Sequence, residues 1–401
     1  MKRTITFSPP DITQREIDEV VDTLKSGWIT TGPKTKLFEK KIAEYCETEK
    51  AVCFNSATAA MELTLRLFDI GPGDEVITSA YTYTASASVI LHVGATPVLV
   101  DIKSDSFLID SEKIKEAITE KTKAIIPVDI GGMPADYDEI FKIVEEKKGL
   151  FNPKKGTLQE KLGRILILAD AAHSFGATYK GSKIGSVADF SSFSFHAVKN
   201  LTTAEGGALT WKENKALDNG DMYKQFMLLS LHGQNKDALS KMKAGAWKYD
   251  IAIPGYKCNM TDINAAIGLA QLERYDSEIL VKKEKIVSWY KKYFKDIKGI
   301  ILPEFDLKDR KSSKHIYALR LVNKTLEERN KIIIGLAEEG IATNVHYQPL
   351  PLFTAYKNLG YKMEDYPISY AMSINEISMP FHNMLKEDDI KYIAKIFKGI
   401  F

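Results

Sequence analysis

Three cysteines in 401 residues are too few for a disulfide framework, and Cys46, Cys53 and Cys258 form neither a CxxC pair nor a Cys/His cluster of the kind that holds zinc. No apolar run approaches the roughly 18 residues of a membrane span. The best one, Ile165 to Leu168, suits a buried strand. An excess of either charge is missing too: 55 Lys+Arg face 53 Asp+Glu, a formal net charge of +2. The lysines are interleaved with glutamates, as in Glu145-Glu146-Lys147-Lys148, so no basic field is offered to nucleic acid. Met1-Lys2-Arg3 runs into Phe7-Ser8-Pro9-Pro10 without the apolar stretch of a signal peptide. These absences predict a cytoplasmic protein with no nucleic-acid, membrane or metal partner. G-x-G-x-x-G is absent as well, which removes the main support for dinucleotide binding. Gly176 to Lys183 imitates a P-loop, but its Lys and Ser are in swapped order and no helical pattern follows.

What is present is alternation. Short β-rich runs exchange with amphipathic helical stretches, the pattern of an α/β fold with a mainly parallel sheet. Val52 to Phe54, Glu75 to Ser79, Thr96 to Asp101, Ala124 to Asp129, Ile165 to Asp170, Phe190 to Phe195 and Gly207 to Trp211 predict one seven-stranded sheet. The polar, lysine-rich stretch 147–163 reads as a surface insertion. After Pro254-Gly255 the pattern changes: one long helix is expected over about Thr261 to Lys298. Beyond it come strands at Tyr317 to Val322 and Ile377 to Pro380, with helices at 325–339 and 386–397. The expected organisation is a large α/β domain over 12–255 and a smaller α+β domain over 256–401, with residues 1–11 packed nearby.

Asn55-Ser56-Ala57-Thr58 lies between a strand and a helix start. It suits either a helix cap or a phosphate site built from free backbone N–H groups and hydroxyls. Asp170 ends an apolar strand, where ligands of open α/β sheets bind, and a poorly solvated carboxylate there calls for a cationic partner such as a pyridinium nitrogen. His173, three residues on, is placed for the same ligand or for packing on the next helix. Lys199 follows the apolar, serine-rich run Phe190 to Phe195; burial at its mouth would lower the amine pKa and favour attack on an aldehyde. In this order the four signals match what pyridoxal phosphate requires: phosphate anchors, a carboxylate for the ring nitrogen and a lysine for the aldehyde.

With these residues stand Trp28-Ile-Thr-Thr-Gly-Pro33, Gly71-Pro-Gly-Asp-Glu-Val76, Tyr81-Thr-Tyr-Thr-Ala85, Asp170-Ala-Ala-His173, Ser194-Phe-His-Ala-Val-Lys199-Asn200, Glu205-Gly-Gly-Ala-Leu209 and Gly255-Tyr-Lys-Cys-Asn-Met-Thr-Asp262. Together they resemble the DegT/DnrJ/EryC1/StrS family of nucleotide-sugar aminotransferases, of the aspartate-aminotransferase fold (fold type I), over essentially the whole chain. The resemblance implies pyridoxal 5′-phosphate held as a Schiff base on Lys199, with Asp170 on the pyridine nitrogen and His173 near the phenolic oxygen. Tyr83 would stack on the ring, and Ser56, Ala57, Thr58 and Ser194 would hold the phosphate. Lys257 would come from a loop that reaches the neighbouring subunit's site, giving a homodimer with shared active sites. Trp28, Thr30 and His346 lie in segments the family uses around the sugar. The implied reaction moves an amino group from an amino acid, L-glutamate by the family's habit, to a keto-sugar nucleotide. The Lys257 form of the loop points to C4 of a UDP- or dTDP-linked sugar, for surface polysaccharide or glycoconjugate biosynthesis. Sugar dehydratases of the same fold carry His at the lysine position, and a non-catalytic sensor or assembly relative is the other alternative; Lys199 together with Asp170 argues against both.

Overall fold

The computed structural model describes residues 3–235 and 247–401; Met1 and Lys2, in the expected amino-terminal segment, and 236–246, in the expected large domain, lie outside the described residues. Seven strands form the central sheet: β1 (Ala51–Phe54), β2 (Glu75–Ser79), β3 (Thr96–Val100), β4 (Thr122–Ile126), β5 (Leu166–Asp170), β6 (Phe190–Ser194) and β7 (Gly207–Trp211). Their spatial order is β1-β7-β6-β5-β4-β2-β3. All neighbours pair in parallel except β7, which runs antiparallel to both β1 and β6. The strands are buried along nearly their whole length, as expected of a sheet covered on both faces. The fourth strand stops short of its expected end because Pro127 has no N–H to give the ladder; pairing resumes as an isolated bridge between Val128 and Asp170.

Helices α1 (Gln14–Ser26) and α2 (Pro33–Tyr45) come first, and α3 (Ala57–Leu67) and α4 (Ala85–His92) follow β1 and β2. The P-loop-like stretch folds as a hairpin of Thr178–Tyr179 and Ser182–Lys183. The 147–163 stretch is more than a polar excursion. Buried Gln159 donates to the Phe68 carbonyl at 2.8 Å, and Lys123 Nζ to that of Asn152 at 2.7 Å.

The long carboxyl-terminal helix is not continuous. It comprises α5 (Asp262–Glu273), a π-helical turn at Tyr275–Leu280 and α6 (Val281–Phe294). Buried Tyr275, whose hydroxyl donates to the Phe175 carbonyl at 2.6 Å, sits where the turn widens. Asp262, at the start of α5, caps α2 from a distance, accepting from the N–H groups of Gly32, Lys34 and Thr35. A second sheet of β8 (Ile300–Ile301), β9 (Tyr317–Leu321) and β10 (Glu376–Met379) packs with α6, α7 (Leu326–Glu338) and α8 (Glu387–Ile400) around its own core, where the Tyr290 and Tyr317 rings stack at 4.1 Å. The amino-terminal segment joins this unit: Ile5 N–H donates to the Gly340 carbonyl and the Ala342 N–H to that of Ile5.

Candidate active site

The carboxyl ends of β5 and β6 and the turn after β1 face one cavity of about 420 Å³, within the size range of small-molecule sites. The turn after β1 reaches the ends of β5 and β6, more than a hundred residues further along the chain, because β7 alone separates β1 from β6 in the sheet. Ser56, Ala57, Thr58, Tyr83, Asp170, His173, Ser194, Lys199 and His346 all line it.

At one end is the first turn of α3. Ser56 is its N-cap, accepting from the Ala59 N–H at 3.1 Å, so the ordinary capping role is filled. The N–H groups of Ala57 and Thr58 have no acceptor inside the helix, and they open on the cavity with the helix dipole behind them. Gly207 lets β7 approach this turn: a Cβ there would lie 2.4 Å from the Ala57 nitrogen.

Asp170 is 4% exposed. Its carboxylate accepts from Ser86 Oγ at 2.6 Å and from the Ala172 N–H at 3.2 Å. Among the described residues no cation lies within ion-pair distance of it, and burial pushes its pKa up, opposed by these hydrogen bonds and by Lys199. A buried carboxylate held only by neutral donors is incomplete without a cation. Lys199 stands on the turn after β6, its N–H donating to the His196 carbonyl. Its Nζ makes no hydrogen bond or ion pair among the described residues. Enclosure by the cavity walls brings the amine down to about 8, against a partial opposing effect of Asp170. An aldehyde-bearing cofactor with a cationic ring nitrogen and a phosphate therefore fits the donor set present: helix N–H groups, carboxylate and amine. If this amine is the nucleophile, the rate at which cofactor-free protein takes up pyridoxal phosphate should rise with pH and reach half its maximum near 8, because the cation predominates below that pH. A stopped-flow pH series checks this; a half-rise near 10.5, the value of an ordinary lysine, would contradict it.

His173 is held neutral by burial, with Lys199 and His346 adding to the downward shift. Its Nδ1 accepts the Gly131 N–H at 3.2 Å, so the proton sits on Nε2 and is donated to Tyr347 Oη at 3.0 Å. The His315 ring lies 4.5 Å away. Ser86, Tyr347 and His315 carry no local sequence signal; only the packing of α4, the 344–347 loop and the 312–316 segment on β5 brings them in.

Three expected residues lie away from this cavity. Trp28 Nε1 donates to the Thr31 carbonyl at 3.2 Å, Thr30 is exposed, and Lys257 Nζ is bonded to Asn259 Oδ1. Their two segments meet each other, since Asn259 Nδ2 donates to Thr31 Oγ1, and the second is tied to the turn after β1 by the Asn55 N–H donating to the Cys258 carbonyl.

A family model described as the DegT/DnrJ/EryC1/StrS aminotransferase family matches residues 10–398. The chain is 38% identical over 398 residues to the spore coat polysaccharide biosynthesis protein SpsC of Bacillus subtilis, covering 98% of this chain and 96% of that one. Among solved structures it superposes on the putative sugar aminotransferase Spr1654 from Streptococcus pneumoniae, in its PMP form, with a TM-score of 0.95 and 55% identity, over 99% of both chains. Helicobacter pylori PseC, an aminotransferase involved in the biosynthesis of pseudoaminic acid, matches with a TM-score of 0.86 and 28% identity over 100% of this chain and 99% of that one. No helix among the described residues is long and apolar enough to cross a membrane.

Proposed function

Since the chain belongs to the DegT/DnrJ/EryC1/StrS aminotransferase family, we propose that it is a cytoplasmic, pyridoxal phosphate-dependent sugar aminotransferase that passes the amino group of L-glutamate to C4 of a UDP- or dTDP-linked keto-sugar for polysaccharide biosynthesis. The observation that carries this reading is Lys199 and Asp170 in one cavity with the open start of α3. The cofactor, when bound, supplies an aldehyde carbon and a cationic ring that withdraws electrons from the carbon losing its proton.

Lys199 Nζ would hold the aldehyde carbon and would serve as the amine that moves a proton in the cavity; an amine near 8 is matched to both tasks. Asp170 would accept the ring N–H and keep it protonated, its carboxylate orientation fixed by Ser86 and the Ala172 N–H. The N–H groups of Ala57 and Thr58, with Ser194 and Ser56, hold the phosphate. His173 and Tyr347 form a neutral pair on the cavity wall. Tyr83, which lines the cavity and is 61% exposed, would cover the ring. In a homodimer Trp28, Thr30 and Lys257 serve the neighbour's cavity, which accounts for their clustering together away from their own.

An amination assay with glutamate over UDP- and dTDP-linked 3-keto and 4-keto sugars tests the reading. A 4-keto substrate is expected to be preferred. Preference for a 3-keto substrate would overturn the C4 assignment, and no amination of any keto-sugar would overturn the activity.

A further inference from the structure

Behind the cavity wall lies a buried chain of polar groups that the chemistry above does not use. Glu376, at the start of β10, is fully buried. Its Oε2 accepts the backbone N–H of His346 at 2.9 Å, and its Oε1 is 2.5 Å from Ser378 Oγ. The same hydroxyl is 2.8 Å from His346 Nδ1. The imidazole is held between two rings, Phe7 stacked on it at 5.6 Å and 18° and Tyr347 edge-on at 5.0 Å and 79°, while Tyr81 Oη donates to the His346 backbone carbonyl at 2.9 Å. His346 lines the cavity, and its Nε2 has no hydrogen-bond partner among the described residues.

Ser378 has one hydroxyl proton and two partners, so it must donate to one and accept from the other. If Glu376 is ionised, Ser378 donates to the carboxylate and accepts from His346 Nδ1–H, leaving a bare Nε2 lone pair in the cavity. If Glu376 is protonated, its O–H is donated to Ser378, Ser378 donates to Nδ1, and Nε2 carries the proton. The two states differ by one proton: on ionisation the Glu376 proton passes to Ser378, the Ser378 proton passes to Nδ1, and the Nε2 proton leaves to the cavity. Among the described residues no cation pairs with the Glu376 carboxylate; the Arg329 guanidinium donates to the Glu376 backbone carbonyl instead, at 3.3 Å. Burial holds the carboxyl up at about 8 and the imidazole down at about 4, so at neutral pH the acid is protonated and the ring uncharged.

We propose that Glu376, acting through Ser378, fixes the tautomer of His346 so that an Nε2–H donor is presented to an oxygen of the sugar substrate. This rests on the sugar-aminotransferase reading for the identity of the oxygen. Glu376 and Ser378 are positioning residues, and His346 makes the contact. The other titratable or charged groups facing Glu376 are Arg329 on α7, Arg320 opposite it on β9, Tyr81 and Tyr347.

The test is long-range ¹⁵N–¹H correlation on holoenzyme with ¹⁵N-labelled histidine, the His346 signals being identified by their loss in His346→Asn. At pH 7 the Nε2–H tautomer is expected, giving way to Nδ1–H as pH rises through about 8. Glu376→Gln, whose amide donates to Ser378 at any pH, should stay Nε2–H throughout. Ser378→Ala should lose the selection, and its KM for the keto-sugar should rise about five- to tenfold, as for one lost hydrogen bond, more than its KM for glutamate; Ser378→Thr should restore both. An Nδ1–H tautomer in the wild type at pH 7, or an unchanged tautomer in Ser378→Ala, would overturn the proposal. The spectra need no turnover, so failure of the amination assay would be separate from failure here.

Discussion

Replacing Lys199 with alanine is expected to lower amination turnover by about 10⁴-fold or more. A positioned proton-transfer group alone contributes about 10² to 10⁴, and the covalent anchor is lost with it. The fold should not suffer. Lys199 Nζ has no hydrogen bond or ion pair to lose among the described residues, and its burial costs the charged form free energy, which is why its pKa is depressed to about 8. A melting temperature equal to or above that of the wild type is therefore expected for the cofactor-free variant. Collapse of the structure would instead mark a buried lysine with a structural role.

Asp170→Asn should cost about 10³-fold in turnover, the scale of one preorganised electrostatic group facing developing charge. The amide keeps the size of the carboxylate; its oxygen can still accept from the Ala172 N–H while its NH2 donates to the Ser86 hydroxyl, which turns from donor to acceptor, but it cannot hold a proton on a ring nitrogen. Its effect on stability has the opposite sign. The folded carboxyl pKa is raised, so ionisation of Asp170 at neutral pH works against the cofactor-free fold, and the variant should melt no lower than the wild type in that form. Steady-state kinetics beside calorimetry of the cofactor-free proteins separates the two effects. Parallel losses of turnover and stability would contradict the assignment.

Much of the fold is legible because its signals are local. Each of the seven sheet strands is an apolar run bounded by turn residues, and Gly207 to Trp211 is even read to the residue. Their spatial order is not legible. Nothing within β7 says that it lies reversed between β1 and β6, since pairing partners are chosen by the packing of the whole sheet. The π-helical turn at Tyr275–Leu280 is hidden for a similar reason: its apolar spacing still suits a helix, and the bond of the Tyr275 hydroxyl to the Phe175 carbonyl spans 100 positions.

In the site, Asp170 and Lys199 stand out because a charge next to an apolar strand is conspicuous in any sequence. Ser86 is not conspicuous: in Ala85-Ser-Ala-Ser88 it is one small residue among four, and its bond to Asp170 spans 84 positions. Tyr347, adjacent to the expected His346, is reached only through its contact with His173. Ser378 falls inside the expected strand Ile377 to Pro380 and Glu376 just before it, neither marked by any local signal; both lie on the observed strand, and their link to His346 exists only once the 344–347 loop lies against β10.

The central claim is that Lys199 is the amine that engages the cofactor aldehyde, and borohydride reduction of the holoenzyme followed by peptide mass mapping tests it most directly. A cofactor adduct on the peptide carrying Lys199, with loss of the bound cofactor's visible absorbance, is the predicted result. An adduct on another lysine, or none in protein with cofactor bound, would contradict it.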